Sequence, residues 1–220
     1  MTAAPDHVSA DAARPGRLPR SERRAQLLEA AQDIFVEAGY HSAAMDAIAE
    51  RAGVSKPVLY QHFPSKKDLY LALLDQHCTA IVDLVREALG STDNNRARVT
   101  ATIAAYFEFF DRDGAPFRLV FQSDLTGEPA VRERLDRVET ECAEAIADVI
   151  SDDAALPREH ALILGMALAG AAQNSARHWV TSSAETGVAR TEASRLVDTL
   201  SWRGIGGFPK ADRASEAAPA

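Results

Sequence analysis

The feature that most constrains this chain is a three-residue turn, Ala52-Gly53-Val54, set between two short stretches of helical character. The pattern predicts one helix over residues 44–51 and a second that starts at Ser55, its N-cap, and runs to residue 63. Pro57 fits the first turn of the second helix, where its missing N–H has no intrahelical acceptor, and Pro64 ends that helix. Two short helices joined by a glycine-bearing turn form a helix-turn-helix.

Longer helices flank this motif. Ser21 is the predicted N-cap of the preceding helix, and Gly39 is its predicted end, because glycine readily adopts the left-handed backbone that terminates helices. After the motif, Ser65 and Asp68 have the spacing of a capping box, which predicts a helix that runs to about residue 89.

Glycines and prolines divide the rest of the chain into segments of helical length, and the sequence contains no strand-like alternation. We predict helices over residues 95–112, 115–123, 129–150, 157–181 and 190–203. The predicted fold class is all-α. It comprises an N-terminal three-helix helix-turn-helix domain (20–66) and a larger helical domain (67–207), with flexible tails at 1–19 and 208–220.

The charge distribution is asymmetric along the chain. The formal net charge is −8, yet residues 1–70 hold nine basic and nine acidic side chains, so the excess of acid lies in the remaining 150 residues. The first part also contains a run of arginines, namely Arg14, Arg17, Arg20, Arg23 and Arg24. This asymmetry is typical of a small nucleic-acid-binding unit joined to an acidic body.

Composition and motifs also exclude several classes of protein. Cys78 and Cys142 are too few for a disulfide framework, which indicates a reducing, cytoplasmic location. The longest charge-free apolar stretch, residues 161–172, is too short to span a bilayer, so no membrane partner is expected. No phosphate loop, dinucleotide fingerprint or serine nucleophile elbow is present, and the histidines lack metal-ligand spacing. We therefore predict neither an enzyme nor a cofactor or metal site.

Residues 47–66 closely resemble the DNA-binding signature of TetR-family transcriptional regulators, and the resemblance extends from about Ser21 to Leu74. It departs at Ala43, where the family commonly has a threonine that caps the second helix and where Ser42 is the expected substitute. It departs again at Pro57, where glycine is more usual. The resemblance implies a regulator that binds double-stranded operator DNA.

A recognition helix of this kind reads bases from its N-terminal end in the major groove. Lys56, Val58 and Gln61 are then expected near base edges, while Tyr60, His62 and Lys66 are expected at phosphates. The full set of predicted DNA-binding residues is Arg17, Arg20, Ser42, Ser55, Lys56, Val58, Tyr60, Gln61, His62 and Lys66. Alternatives stay open for four of these. Val58 is either a base contact or core, and Tyr60 is either a phosphate contact or a packing aromatic. Arg17 and Arg20 belong, with Arg14, either to a minor-groove arm or to a solvated tail. Leu59, next to Val58, is expected in the core.

A single recognition helix covers about one half-site, so specific binding requires a homodimer on a two-fold operator. The predicted interface is formed by the last two helices, about residues 157–203, where regulators of this family pair. Small residues between 165 and 172 would let helix backbones approach closely. Trp179 and Trp202 are either interface anchors or intradomain core.

The middle of the chain is rich in aromatic residues, and the family keeps its ligand cavity there. Tyr106, Phe107, Phe109, Phe110, Phe117 and Phe121 lie in two neighbouring predicted helices. They form either ordinary core or the wall of an apolar channel. Such a channel suits a small hydrophobic effector, an acyl chain in particular, because the sequence shows no cluster of ionisable residues there.

Four segments look like the actinobacterial fatty-acid-synthase regulators within this family, namely residues 16–24, 45–63, 93–96 and 117–121. This resemblance implies control of fatty-acid biosynthesis genes with long-chain acyl-CoA as the effector. The candidate ligand residues are then Phe107, Phe110, Phe117, Phe121 and Leu168 for the acyl chain and Arg118 for the CoA phosphates. Arg118 is otherwise a surface ion-pair residue. The alternative function is a repressor of an efflux pump or catabolic operon that senses another hydrophobic small molecule.

Overall fold

The computed structural model describes residues 18–111, 125 and 127–204. The helices in these residues are α1 (Arg20–Ser42), α2 (Met45–Arg51), α3 (Lys56–His62), α4 (Lys66–Gly90), α5 (Asn95–Asp111), α6 (Pro129–Ala154), α7 (Arg158–Thr186) and α8 (Arg190–Arg203). The described ranges contain no strand, which confirms the all-α prediction. Residues 1–17 of the predicted N-terminal tail, the predicted tail over 208–220 and the predicted helix over 115–123 lie outside the described residues.

The starts of α1 and α2 differ from the sequence prediction. The N-cap of α1 is Pro19 rather than Ser21, because the Pro19 carbonyl accepts the first helical hydrogen bond from Arg23 at 2.9 Å. The N-cap of α2 is Ala44, which has no side-chain acceptor, so the capping role predicted for Ser42 is wrong. These ends show that backbone geometry alone can start a helix without a polar cap.

Other helix ends follow their local signals. Gly39 has a φ of 74° and interrupts α1 as predicted, although helical hydrogen bonding continues to Ser42. The hydroxyl of Ser65 accepts a hydrogen bond from the Asp68 N–H at 3.1 Å and donates one to the Asp68 carboxylate at 2.7 Å, which confirms the cap of α4. Gly187, with a φ of 67°, ends α7 five residues beyond the predicted position of 181.

The helices α1, α2 and α3 form a compact unit that we call the head. Leu27, Ile48 and Leu59 are each 0% exposed at its centre, and Leu59 thus has the core role predicted for it. The side chain of Gln26 on α1 donates to the carbonyl of Ala52 in the turn at 2.9 Å. This bond holds the turn of the helix-turn-helix against the first helix.

The helices α4 to α8 form the body. α6 and α7 make the most extensive pair, α4 packs on α5 and α6, and α5 also contacts α7 and α8. Gly165 on α7 allows the close approach to α6, since a Cβ atom at this position would lie only 2.3 Å from the Ala143 carbonyl oxygen. None of the described helices is both long enough and apolar enough to cross a membrane.

A buried carboxylate joins α8 to α5. Arg96 donates two hydrogen bonds to the carboxylate of Asp198, and the hydroxyl of Thr100 donates a third at 3.0 Å. Asp198 is only 5% exposed, and this burial opposes its ionisation. The hydrogen bonds from Arg96 and Thr100 outweigh the burial, so the pKa of Asp198 lies below its ordinary value. The ionised carboxylate fixes the two helices against each other.

His77, on α4, makes stability depend on pH. It is 7% exposed, its Nε2 has no hydrogen-bond partner among the described residues, and burial lowers its pKa to about 4. As pH falls below about 6.5, the unfolded chain therefore binds a proton that the folded chain does not. We expect unfolding free energy, measured by urea titration, to fall by up to about 3 kcal/mol between pH 6.5 and 4 on this account.

The matched variants are His77→Phe and His160→Gln. The first removes the buried imidazole and should flatten this part of the pH dependence. The second removes a solvent-exposed histidine and should leave it unchanged. Identical pH slopes for wild type and His77→Phe would show that His77 does not carry the effect.

Candidate nucleic-acid interface and internal cavity

A groove of about 580 Å³ runs between the start of α1 and the recognition helix α3. It is lined by Leu18, Arg20, Arg23, Gly53, Val54, Ser55, Val58, Gln61 and His62. Five of the residues predicted to bind DNA, Arg20, Ser55, Val58, Gln61 and His62, are thus brought to one surface. Arg23 is a further residue of this surface that was not predicted, although its spacing of three from Arg20 indicates one face of α1.

The local backbone explains why α3 presents its N-terminal end. Gly53 has a φ of 62°, a conformation that favours glycine, and it reverses the chain after α2. The N–H of Val54 then donates to the carbonyl of Ala49 at 2.9 Å. Ser55 occupies the N-cap of α3 as predicted, but its side chain makes no capping hydrogen bond. Its exposed hydroxyl is therefore not used by the helix.

Two α3 side chains extend from the head beside the groove. Lys56 forms an ion pair with Asp46 of α2, in which both side chains are more than half exposed (59% and 61%). Exposed pairs contribute only about 0–1 kcal/mol, so a nucleic-acid group can replace the carboxylate at little cost. Tyr60 is 46% exposed, which argues against a packing role. Val58 is half-buried and lines the groove.

Arginines of α1 determine the electrostatics at His62. Burial lowers the pKa of His62, and the charges of Arg20, Arg24 and Arg23 lower it further. The imidazole is therefore neutral near pH 7 and can donate or accept one hydrogen bond, but it does not add positive charge. Arg24 lies over the ring of Phe63, with its guanidinium carbon 4.4 Å from the ring centroid.

Lys66 and Ser42 lie apart from the groove lining. The Lys66 ammonium donates to the carbonyls of Tyr40, His41 and Ala43 at 2.8, 3.0 and 2.9 Å. These three bonds use all of its donors, so this geometry gives Lys66 the role of a cap on α1 rather than that of a free phosphate ligand. Ser42 is exposed at the end of α1, and Arg17 lies outside the described residues.

A second cavity, of about 280 Å³, lies between helices of the body and opens to the surface. It is lined by Leu89, Asn95, Arg98, Val99, Thr102, Ile103, Ile146, Val149, Ile150, Asp153, Ala154, Leu168, Ala172, Ser201 and Trp202. Leu168 is the one predicted ligand residue in this lining. Phe107 and Phe110 do not line it and are packed in the core, at 1% and 0% exposure. Phe117, Arg118 and Phe121 lie outside the described residues.

The cavity has aliphatic walls and a polar rim. Arg98 organises the rim, since its guanidinium donates to Asp153 and to Asn95, both at 2.9 Å. It also donates to the Leu89 carbonyl at 3.1 Å, which ties the rim to the end of α4. Sequence reasoning missed this lining because it favoured aromatic residues, whereas the walls are made of valine, isoleucine and leucine from several helices.

The last two helices carry an exposed apolar face. Of the eight large hydrophobic residues that are exposed in the described chain, six lie on α7 and α8, namely Ile163, Leu164, Met166, Leu196, Leu200 and Trp202. Trp179 is not among them, because it packs on Phe107 and donates from its indole to the carbonyl of Val188 at 2.8 Å. Trp179 is therefore intradomain core, while Trp202 covers the cavity. Several exposed large apolar side chains on two neighbouring helices are typical of an interaction surface.

A helix-turn-helix head joined to a larger helical body is the plan of a DNA-binding transcriptional regulator. Residues 27–73 match the family of bacterial regulatory proteins described as the tetR family. The chain is also 42% identical over 196 residues to the HTH-type transcriptional activator FasR of Mycolicibacterium smegmatis, and the match covers 89% of each chain. The protein belongs to the TetR family of transcriptional regulators.

Solved structures show the same fold. A TetR-like transcriptional regulator from Rhodococcus sp. RHA1 superposes with a TM-score of 0.67 at 25% identity and covers 87% of this chain and 100% of its own. The regulator FadR from Bacillus subtilis, solved in complex with stearoyl-CoA, superposes with a TM-score of 0.68 at 17% identity. That match covers 82% of this chain and 98% of FadR.

Proposed function

We propose that the protein is a homodimeric regulator that binds a palindromic operator, controls fatty-acid biosynthesis genes and responds to long-chain acyl-CoA. The observation that carries this proposal is the aliphatic cavity with its polar rim. Hydrocarbon walls recognise an acyl chain, and the arginine at the rim suits the polar end of such a ligand. The stearoyl-CoA bound to FadR supports the same class of effector.

The groove of the head is the proposed DNA-binding surface. We expect Lys56, Val58 and Gln61 to meet base edges and Arg20 and Arg23 to meet phosphates. All of these except Lys56 line the groove. Ser55, Tyr60 and His62 supply polar atoms beside them. Two heads must stand roughly 34–36 Å apart, or a multiple of this distance, to read both half-sites. The exposed face of α7 and α8 is the proposed dimer interface that sets this distance.

α4 connects the cavity with the head. Leu89, near its C-terminal end, lines the cavity, and Lys66 at its N-terminal end caps α1. Twenty-five helical residues span about 37 Å, so a small tilt at one end displaces the other by several ångströms. A ligand that changes this tilt changes the separation of the heads in the dimer.

The cavity volume indicates how a long acyl chain would produce such a tilt. The volume of about 280 Å³ holds roughly nine groups of about 30 Å³, the volume of a water molecule in the liquid. This is fewer than the carbon atoms of a stearoyl chain. To enclose a long chain completely the surrounding helices would have to separate, and that separation is the movement we propose for α4.

The test is fluorescence anisotropy with a labelled fatty-acid-synthase promoter fragment, titrated with palmitoyl-CoA at fixed salt. We expect palmitoyl-CoA to change the dissociation constant for DNA by about 5- to 150-fold, the usual range of allosteric coupling, and free CoA to have no effect. Tight DNA binding without a response to palmitoyl-CoA would contradict the proposal that long-chain acyl-CoA is the effector. Titration with cationic dyes would then test the alternative, an efflux or catabolic repressor.

A further inference from the structure

Thr102 lines the cavity and has a buried hydroxyl group without a hydrogen-bond partner among the described residues. The residue is 6% exposed. Two other buried side chains share this condition, His77 and Tyr106, but neither lines the cavity. A buried hydroxyl without a partner destabilises the folded protein, so a ligand that supplies an acceptor gains affinity at Thr102.

Other threonines of the described helices show what Thr102 lacks. In six of them the hydroxyl donates to the carbonyl four residues earlier, at 2.8 to 3.3 Å, namely in Thr79, Thr100, Thr140, Thr181, Thr186 and Thr199. The hydroxyl of Thr102 does not make the corresponding bond to Arg98. Since threonine populates two χ1 rotamers in a helix, its hydroxyl can turn towards an incoming acceptor at small cost.

The surroundings of Thr102 define the acceptor. Val99 and Ile103 lie beside it on α5 and line the same cavity, so most of the ligand must be hydrocarbon. Arg98 precedes Thr102 by four residues, or about 6 Å along the helix axis, which places Thr102 one turn inside the rim. The polar groups of the rim, Arg98, Asn95 and Asp153, bond one another. Among the described residues that line the cavity, Thr102 is thus the one with a buried hydroxyl that lacks a partner, one turn inside the rim.

We propose that Thr102 is a specificity-determining residue whose hydroxyl donates a hydrogen bond to the carbonyl oxygen of an acyl thioester, one turn inside the rim. The hydrocarbon chain then extends into the aliphatic cavity, and the carrier end of the thioester lies at Arg98. This inference rests on the proposed acyl-CoA function. It specifies the thioester carbonyl as the group of the ligand that Thr102 recognises. It follows that the protein distinguishes a thioester from a thioether of the same length.

The experiment compares palmitoyl-CoA with S-hexadecyl-CoA, a thioether that lacks the carbonyl oxygen. Binding to the full chain is measured by isothermal titration for wild type and for Thr102→Val, which keeps the β-branched shape and removes the hydroxyl. One hydrogen bond is worth about 1 kcal/mol net, so wild type should prefer the thioester by roughly fivefold. Thr102→Val should bind both ligands equally, and Thr102→Ser should keep the preference.

The matched control is Thr140→Val, which removes an exposed hydroxyl on α6 and should leave the preference unchanged. Equal affinities of wild type for the two ligands would overturn the role of Thr102, and so would an unchanged preference in Thr102→Val. If wild type binds neither ligand, the proposed acyl-CoA function itself fails. That result differs from binding without discrimination, which overturns only the further inference.

Discussion

Replacing Ile163 and Leu200 together with glutamate is expected to make the protein monomeric and to lower its affinity for a two-fold operator by about 100-fold or more. The two side chains are 68% and 42% exposed on the apolar face of α7 and α8. In a two-fold interface the same patch is used by both subunits, so four carboxylates would be buried together. Sedimentation velocity measures the assembly, and anisotropy on a full operator measures the affinity.

The control for this double variant is Thr140→Glu. Thr140 is exposed on α6, away from the proposed interface, and the new charge should change neither assembly nor DNA binding. A half-site duplex gives a second comparison, because a single head should bind it with similar affinity in both variants and wild type. If the Ile163/Leu200 variant remains a dimer with wild-type operator affinity, the interface lies elsewhere.

Gly165→Ala is expected to destabilise the protein by about 2–3 kcal/mol, although alanine is the better helix former by about 1 kcal/mol. The added methyl group would stand 2.3 Å from the Ala143 carbonyl oxygen and 3.3 Å from the Ala147 Cβ. Because the obstacle at 2.3 Å is backbone, no side-chain rotation relieves it, and α6 and α7 must separate. Thermal unfolding should show a melting temperature lower by roughly 5–10 °C.

Gly90→Ala is the matched control for Gly165→Ala. Gly90 is the last residue of α4, and a Cβ atom there has no neighbour within 4 Å. This substitution should leave the melting temperature unchanged or raise it slightly, since only helix propensity acts. A melting temperature for Gly165→Ala that equals or exceeds that of wild type would mean that α6 and α7 are not held at this distance.

Local chemistry made the head predictable from sequence. Gly53 in the turn, the Ser65 cap and the apolar position of Leu59 each depend on a few neighbouring residues, and the structure contains all three. The ion pair of Lys56 and the capping bonds of Lys66 could not be predicted in this way, because their partners come from other helices. The carbonyls that accept hydrogen bonds from Lys66 lie at the end of α1, and they come within reach of Lys66 only when the chain is folded.

The cavity was less predictable because it depends on how helices distant in sequence pack. Aromatic residues such as Phe107 were favoured for their size, but large side chains fill a core and leave no space. The open volume lies where smaller residues face one another, for example Val99 and Ala172. Spacing along one helix identifies its apolar face, but it does not reveal whether the facing surfaces meet.

The anchoring of the head on α4 constrains how operator specificity can be transplanted between relatives. Tyr70 of α4 packs edge-on against Phe35 and Tyr40 of α1, with ring centroids 5.5 and 5.3 Å apart. Lys66 lies over the Tyr40 ring as well as capping its backbone. In a chimaera joined at the turn before α4, a foreign head would pack on α4 residues that do not match its own α1. A junction beyond Leu74 would instead transfer the contacting α4 residues together with the head.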